Sequence, residues 1–192
     1  MNSIKIVVTG DGMVGKTSML YRYTKDEFSE AHEATVFDSY SVQVQVDNVT
    51  WDLCFFDTAG QEDYDQLRPL TYGKADMFVL CYNCMRPEGI DNLKSKWLPE
   101  KDAHNKDSPY VVVGTKTDLR NDAQACKDLL SSSGKTPVHC EDVDATPFAG
   151  CKKIMECSAK TGDGVNDVFN QIIQAAVRAK IGGGKDKKCE IL

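Results

Sequence analysis

The chain has 192 residues, enough for one domain with a sizeable core, and no Ser/Gly/Pro-rich linker divides it before the last dozen residues. A formal net charge of −6 leaves no basic stripe with which to displace counterions from a nucleic-acid backbone, so nucleic acid is not an expected partner. No run approaches the ~18 apolar residues of a spanning helix. The N-terminus carries no secretory signal pattern, so the eight cysteines read as reduced, cytosolic thiols.

The first apolar run, Ile4 to Thr9, reads as a buried strand, and Gly10 to Thr17 (GDGMVGKT) follows it directly. This is G-x-x-x-x-G-K-[ST] between a strand and a helix. Its glycines let successive N–H groups turn inward on phosphate oxygens, Lys16 brings a point charge to the outer phosphates, and the Thr17 hydroxyl can ligate Mg²⁺. The helix expected over Lys16 to Thr24 adds its positive dipole end at the same place. Two alternating segments, Tyr40 to Val46 and Val49 to Phe55, meet at Asp47 and Asn48 and predict an antiparallel hairpin. A helical segment is expected near Asp65 to Tyr72, a strand over Met77 to Tyr82, a helix over Pro87 to Leu98 and a strand over Tyr110 to Gly114. Residues 119–153 read as irregular, broken at Ser131 to Gly134, Pro137 and Pro147, with a short helix possible over Ala123 to Leu130. The chain then resumes with a strand over Ile154 to Cys157 and a helix over Val165 to Lys180, whose stripe runs through Val168, Phe169, Ile172, Ile173 and Ala176. Alternation of strand and helix with one antiparallel edge hairpin predicts an α/β fold, an open and mostly parallel six-stranded sheet with helices on both faces. In such sheets ligands bind beyond the carboxyl ends of the strands.

Three further segments fall at those ends. Asp57-Thr58-Ala59-Gly60-Gln61 closes the second hairpin strand, where a carboxylate can reach Mg²⁺, Gly60 can offer its N–H to a terminal phosphate and Gln61 can orient a water. Thr115-Lys116-Thr117-Asp118 ends the Tyr110 strand; the Asp118 carboxylate can accept two hydrogen bonds from N1–H and N2–H₂ of guanine, a donor pair that adenine lacks. Ser158-Ala159-Lys160 can line the other side of the base.

Taken in order, GDGMVGKT, DTAGQ, TKTD and CSAK make the chain resemble a small GTPase of the Ras superfamily. Thr35-Val36-Phe37-Asp38, the run from Asp57 to Leu70, Lys96-Trp97-Leu98-Pro99-Glu100 and the insertion near 119–137 resemble a divergent member of the Rho family. The resemblance implies a P-loop G domain over residues 1–180 that binds GDP or GTP with Mg²⁺ and hydrolyses GTP slowly unless an activating protein assists. It implies a nucleotide held by Gly10, Asp11, Gly12, Met13, Val14, Gly15, Lys16, Thr17 and Ser18, with Phe28 against the base. Thr17, Thr35 and Asp57 would serve the metal, and Gly60 would sense the terminal phosphate. Gln61 and Lys16 would carry the chemistry. Thr115, Lys116, Asp118, Ser158, Ala159 and Lys160 would select guanine. The implied partners are exchange factors, activating proteins, a dissociation inhibitor and effectors on the switch segments, met by a monomer that signals to actin, polarity or membrane traffic. A nucleotide-binding adaptor that rarely cycles is the alternative: intact Gly12 and Gln61 count against it, while His32 and Ala34 leave room for it; a P-loop metabolic kinase is disfavoured, because TKTD and DTAGQ have no place in one.

The sequence departs from the Rho pattern at His32 and Ala34, where a tyrosine and a proline are usual, which predicts either a looser first switch with faster exchange or a changed effector surface with ordinary exchange. Gln66 and Phe56 replace an arginine and, in some members, a tryptophan, and bear on partner choice. Gly12 is intact, which together with Gln61 favours a working hydrolase. Residues 181–192 form a tail ending Cys189-Glu190-Ile191-Leu192, a prenylation box whose terminal Leu favours geranylgeranyl. Four lysines against one aspartate between Lys180 and Lys188 add modest attraction to an anionic leaflet. One lipid anchors weakly, so the expected location is the cytoplasmic side of the plasma membrane or internal membranes, with a cytosolic pool.

Overall fold

The computed structural model describes residues 2–29, 35 and 37–182. The first switch around His32 and Ala34 and the tail with Cys189 lie outside the described residues.

Six strands form one sheet in the order β2-β3-β1-β4-β5-β6, comprising β1 (Ser3–Gly10), β2 (Phe37–Val46), β3 (Val49–Thr58), β4 (Met77–Asn83), β5 (Tyr110–Thr115) and β6 (Cys151–Glu156). Only β2 runs antiparallel, paired with β3 from Phe37↔Thr58 to Val46↔Val49 across the expected turn, where Asp47 and Asn48 adopt φ of 51° and 61°. Those left-handed angles match a tight hairpin turn, and Asp and Asn tolerate them better than most residues. β4 and β5 are buried along their whole length, as parallel strands covered on both faces must be.

One face of the sheet packs Ile4, Ile6, Val8, Leu53, Phe55, Val79, Val111 and Val113 against α1 (Lys16–Lys25) and α5 (Val165–Ile181). The α5 stripe is as the sequence predicts it, and Phe169 stacks on Tyr23 with ring centroids 3.9 Å apart. The other face packs Val7, Phe78, Leu80, Tyr82 and Val112 against Tyr72, Leu93, Trp97 and Phe148.

Three local expectations change. The helix after β4 does not stop at Leu98: α2 (Glu88–Asn92) passes through a π-helical turn, Leu93–Trp97, into α3 (Leu98–Asn105). The wide turn makes room for the Pro99 ring, which would otherwise meet the carbonyl four residues back. The helix expected near Asp65 to Tyr72 is instead two 3₁₀ turns, Glu62–Tyr64 and Arg68–Thr71. Leu67 and Leu70 point to solvent while Arg68 and Tyr72 are buried, so no continuous apolar stripe exists to hold an α-helix there. Within the insertion, α4 (Ala123–Ser133) is longer than the serine run suggests. Asp122 caps its start, accepting from Gln124 N and Ala125 N at 2.9 and 3.0 Å, and Gly134 closes it in a left-handed conformation. The hydroxyls of Ser131, Ser132 and Ser133 bond back to carbonyls three and four residues earlier, which lets three serines end a helix instead of breaking it.

Candidate functional site

A cleft of about 450 Å³ opens at the carboxyl ends of β1, β3 and β5, and the sequence motifs converge on it. Its walls include Gly12, Met13, Gly15, Lys16, Thr17, Ser18, Phe28, Thr35, Gly60, Gln61, Thr115, Lys116, Asp118, Ala159 and Lys160.

At the phosphate end the loop after β1 depends on backbone that only glycine allows. Gly10 has φ +139°, and a Cβ there would lie 2.2 Å from Cys81 O; Gly15 has φ +100° at the start of α1. Lys16 is buried, and its Nζ donates to Gly10 O and Asp11 O at 2.8 Å each, so the ammonium is folded under the loop. Burial pushes its pKa down, and the nearby Asp57 carboxylate opposes that shift.

Beside Lys16, Thr17 Oγ1 donates to Asp57 Oδ2 at 2.5 Å and lies 2.6 Å from Thr35 Oγ1. Two hydroxyls and a carboxylate within hydrogen-bond reach form a set of hard oxygen donors. That set fits Mg²⁺, which keeps several waters and takes few protein ligands. When bound, the metal would neutralise charge on the phosphates; Thr17, Thr35 and Asp57 are the residues placed to hold it.

Gly60 meets the loop from the other side. A Cβ on it would fall 2.4 Å from Asp11 C, Gly10 O and Gly12 N, so the backbone of the Asp57 to Gln61 segment touches the phosphate loop. The Gln61 side chain reaches to within 3.7 Å of a Cβ built on Gly12.

At the base end, Ser158 is buried and its Oγ donates to Asp118 Oδ1 at 2.6 Å, which aims one carboxylate oxygen and leaves the other for a ligand. Lys116 adopts φ +62°, and its stem runs past Gly15, the Cε lying 3.6 Å from where a Gly15 Cβ would be. Burial lowers the Lys116 pKa. Thr115 Oγ1 shares its proton between Val14 O at 2.5 Å and Tyr82 O at 2.9 Å, tying the two motifs together behind the cleft.

Five predicted residues therefore act from behind the walls: Gly10, Val14 and Asp57 are backbone or buried supports, and Ser158 orients Asp118. The fifth, Asp11, turns its carboxylate away from the phosphates, accepting from Trp97 Nε1 at 2.6 Å and Asn92 Nδ2 at 2.8 Å. An acidic side chain is thereby kept off an anion site and used to fasten the loop to the α2–α3 helix. Phe28 and Thr35 line the cleft, and Met13 is 79 % exposed with φ 62°.

Sequence reasoning missed three groups. Arg68 is buried, stacks 4.4 Å over the Trp97 ring, and donates through Nε and Nη2 to Glu100 at 2.9 and 2.7 Å. Its Nη1 donates to Ala59 O at 2.9 Å, so a fork and a stack anchor the segment that carries Gln61. Leu119 also lines the cleft. Arg22 reaches from α1 to the loop at Ala159 and Lys160. Leu119 is a single apolar residue directly after TKTD, in an otherwise polar stretch; nothing in local sequence marks the two arginines, whose partners Ala159, Lys160 and Glu100 lie far along the chain.

A strand, a glycine-built anion loop, oxygen donors for a hard cation and a serine-held carboxylate at the far end of the cleft define a P-loop nucleotide site. The family model described as "Ras family" matches residues 5–178, nearly the whole described chain. The protein belongs to the Ras family: it is a small GTPase whose domain binds guanine nucleotide and hydrolyses GTP.

Proposed function

We propose that this chain is a Rho-type switch that hydrolyses GTP slowly on its own and signals through effectors to actin, cell polarity or membrane traffic. The observation that carries the switch reading is the meeting of Thr17, Thr35 and Asp57 within 2.6 Å, because it joins the phosphate loop, the first switch and the second at one metal position. Residues 35 and 60 would be drawn in by a terminal phosphate and released on its loss. Gln61 would align water in line with the leaving phosphate, and Lys16, already desolvated, would meet developing charge where it counts most. Among the described residues no arginine lines the cleft, so a partner's arginine would supply the missing charge, a contribution of about 10⁵-fold in Ras itself, from which that figure is taken.

Support for the Rho-type reading comes from the helical insertion after Asp118 and from Trp97, whose indole fixes the phosphate loop through Asp11. Phe37, Leu67 and Leu70, next to the switch segments in sequence, are large exposed apolar side chains of the kind that suits regulators and effectors. The tail would carry geranylgeranyl on Cys189 and hold the protein reversibly at plasma or internal membranes.

The deciding experiment is capture of partners from lysate on protein loaded with GDP or with a non-hydrolysable GTP analogue. Partners retained only by the triphosphate form, and recognisable as Rho effectors, are the expected result; identical sets for both forms would refute a switch. A tagged Cys189→Ser variant should lose membrane fractionation, and unchanged distribution would refute prenylation.

A further inference from the structure

We propose that Arg22 is a positioning residue that closes the base end of the cleft and sets how long guanine nucleotide stays bound, an inference that rests on the guanine site proposed above. The side chain leaves the last turn of α1 and spans the gap to the loop after β6. Its Nε donates to Ala159 O and its Nη2 to Lys160 O, both at 2.8 Å and both across more than a hundred residues of chain. Its Nη1 donates to Asp26 O at 3.0 Å, the residue that caps α1 in a left-handed conformation two positions before Phe28. One guanidinium thus holds both lips of the base end, the Phe28 side and the Ala159–Lys160 side. A planar fork with five donors can do this, whereas a lysine head cannot serve all three carbonyls in fixed directions.

The geometry also sets orientation. In a trans peptide the C=O and the following N–H point opposite ways, so pinning Ala159 O on Arg22 turns the Lys160 N–H to the side away from α1. Around these carbonyls the loop is already tight: Ser158 N donates to Asp163 O, Gly162 N to Ser158 O, and Thr161 N to Ser158 Oγ, the hydroxyl that also bonds Asp118. Gly162, at φ +83°, brings its backbone close enough that a Cβ would lie 3.9 Å from Arg22 Nε. Releasing Arg22 therefore frees two consecutive carbonyls of the loop whose serine aims Asp118, and loosens the base contacts as a set.

The test is release of a fluorescent GDP analogue from the full chain, for wild type, Arg22→Ala and Arg22→Lys, in Mg²⁺ and after chelation by EDTA. The expected result is release about tenfold faster for Arg22→Ala, with Arg22→Lys between the two because it restores one of the three bonds. The fold-change should be the same with and without Mg²⁺, since the Arg22 contacts to Ala159, Lys160 and Asp26 involve none of Thr17, Thr35 and Asp57, and independent contacts add. A general loosening of the fold would instead make the variant disproportionately sensitive to loss of the metal. Release within twofold of wild type for both variants overturns the proposal. Wild type that retains an adenine analogue as well as the guanine one overturns the guanine reading itself, and this inference with it.

Discussion

The two ends of the cleft are built by opposite means. The phosphate end is made from main chain brought into contact at glycines, with Gly10 against Cys81 and Gly60 against residues 10–12. The base end is made from side chains that reach across the chain: Ser158 to Asp118, Arg22 to Ala159 and Lys160, and Arg120 to Glu156 and Val138 O. A phosphate is recognised by donors and field, which main chain supplies anywhere it can curl. A particular base must be recognised by aimed groups, and aiming takes supports. Substitution should therefore break the phosphate end abruptly and the base end by degrees.

The largest effect is expected at Gly60→Ala. The added carbon would overlap main chain at 2.4 Å on three atoms, none of which belongs to a flexible side chain, so the segment bearing Gln61 must move off the loop. A displacement of about 1 Å at a reacting group costs about 100-fold, so single-turnover GTP hydrolysis should fall at least that far. Hydrolysis within threefold of wild type would show that the close approach is not used.

Next comes Asp118→Asn at the base end. The carboxylate becomes an amide with one acceptor, and each lost charge-assisted bond is worth about 1.5–3 kcal/mol, so GDP affinity should fall by about 100-fold or more. Because the amide also donates, xanthine nucleotide, with a carbonyl where guanine has an amine, should gain affinity. Competition of GDP and XDP for the site measures both, and an unchanged preference for GDP would mean that Asp118 does not read the base.

These two ends were not equally legible. GDGMVGKT, DTAGQ, TKTD and CSAK could be placed at strand ends because periodicity alone locates those ends, and the sheet then brings the motifs together. The supports could not be read. Arg22 lies on an amphipathic helix where an arginine beside an acidic residue four positions on is unremarkable, and its two partners across the cleft are 137 and 138 residues away. Arg68 was hidden for a related reason: a buried guanidinium needs Glu100, Asp65 and Ala59 O around it, and nothing local predicts that they will meet. The course of the helix past Pro99 failed to show because a π turn leaves no compositional trace.

A smaller effect is expected where the insertion joins the base end. Arg120 holds Glu156 through two bonds of 2.7 Å, and Cys140 N donates to the same carboxylate at 2.9 Å. The Arg120 hydrogen bonds hold the Glu156 pKa down at about 2, below its usual 4.5. A carboxyl with a depressed pKa stabilises the fold fully above its unfolded value and loses that contribution as pH falls through its folded one. Glu156→Gln should thus cost about 1–2 kcal/mol at pH 7 after allowing for partial exposure, with the difference shrinking between about pH 4.5 and 2. Melting curves across that range should converge at the acid end; parallel curves would show that the pair contributes nothing through charge.

The smallest effect concerns His32 and Ala34, the residues just before Thr35 in sequence. Thr35 is held at its hydroxyl by Thr17 at 2.6 Å, whereas residues 32 and 34 carry imidazole and a methyl where a phenol and a pyrrolidine ring are usual in the Rho pattern. Proline removes about 0.4–1 kcal/mol of chain entropy from an open loop, a factor of about two to five in the open population. Restoring it, together with the phenol, as His32→Tyr, Ala34→Pro should slow release of a fluorescent GDP analogue by about that factor in the presence of Mg²⁺. After chelation Thr35 would have no ion to hold it beside Thr17 and Asp57, and the two proteins should release at the same rate. A slower double variant in EDTA would place its effect at the base end instead, and equal rates in Mg²⁺ would show that closure is already governed by Thr35 alone.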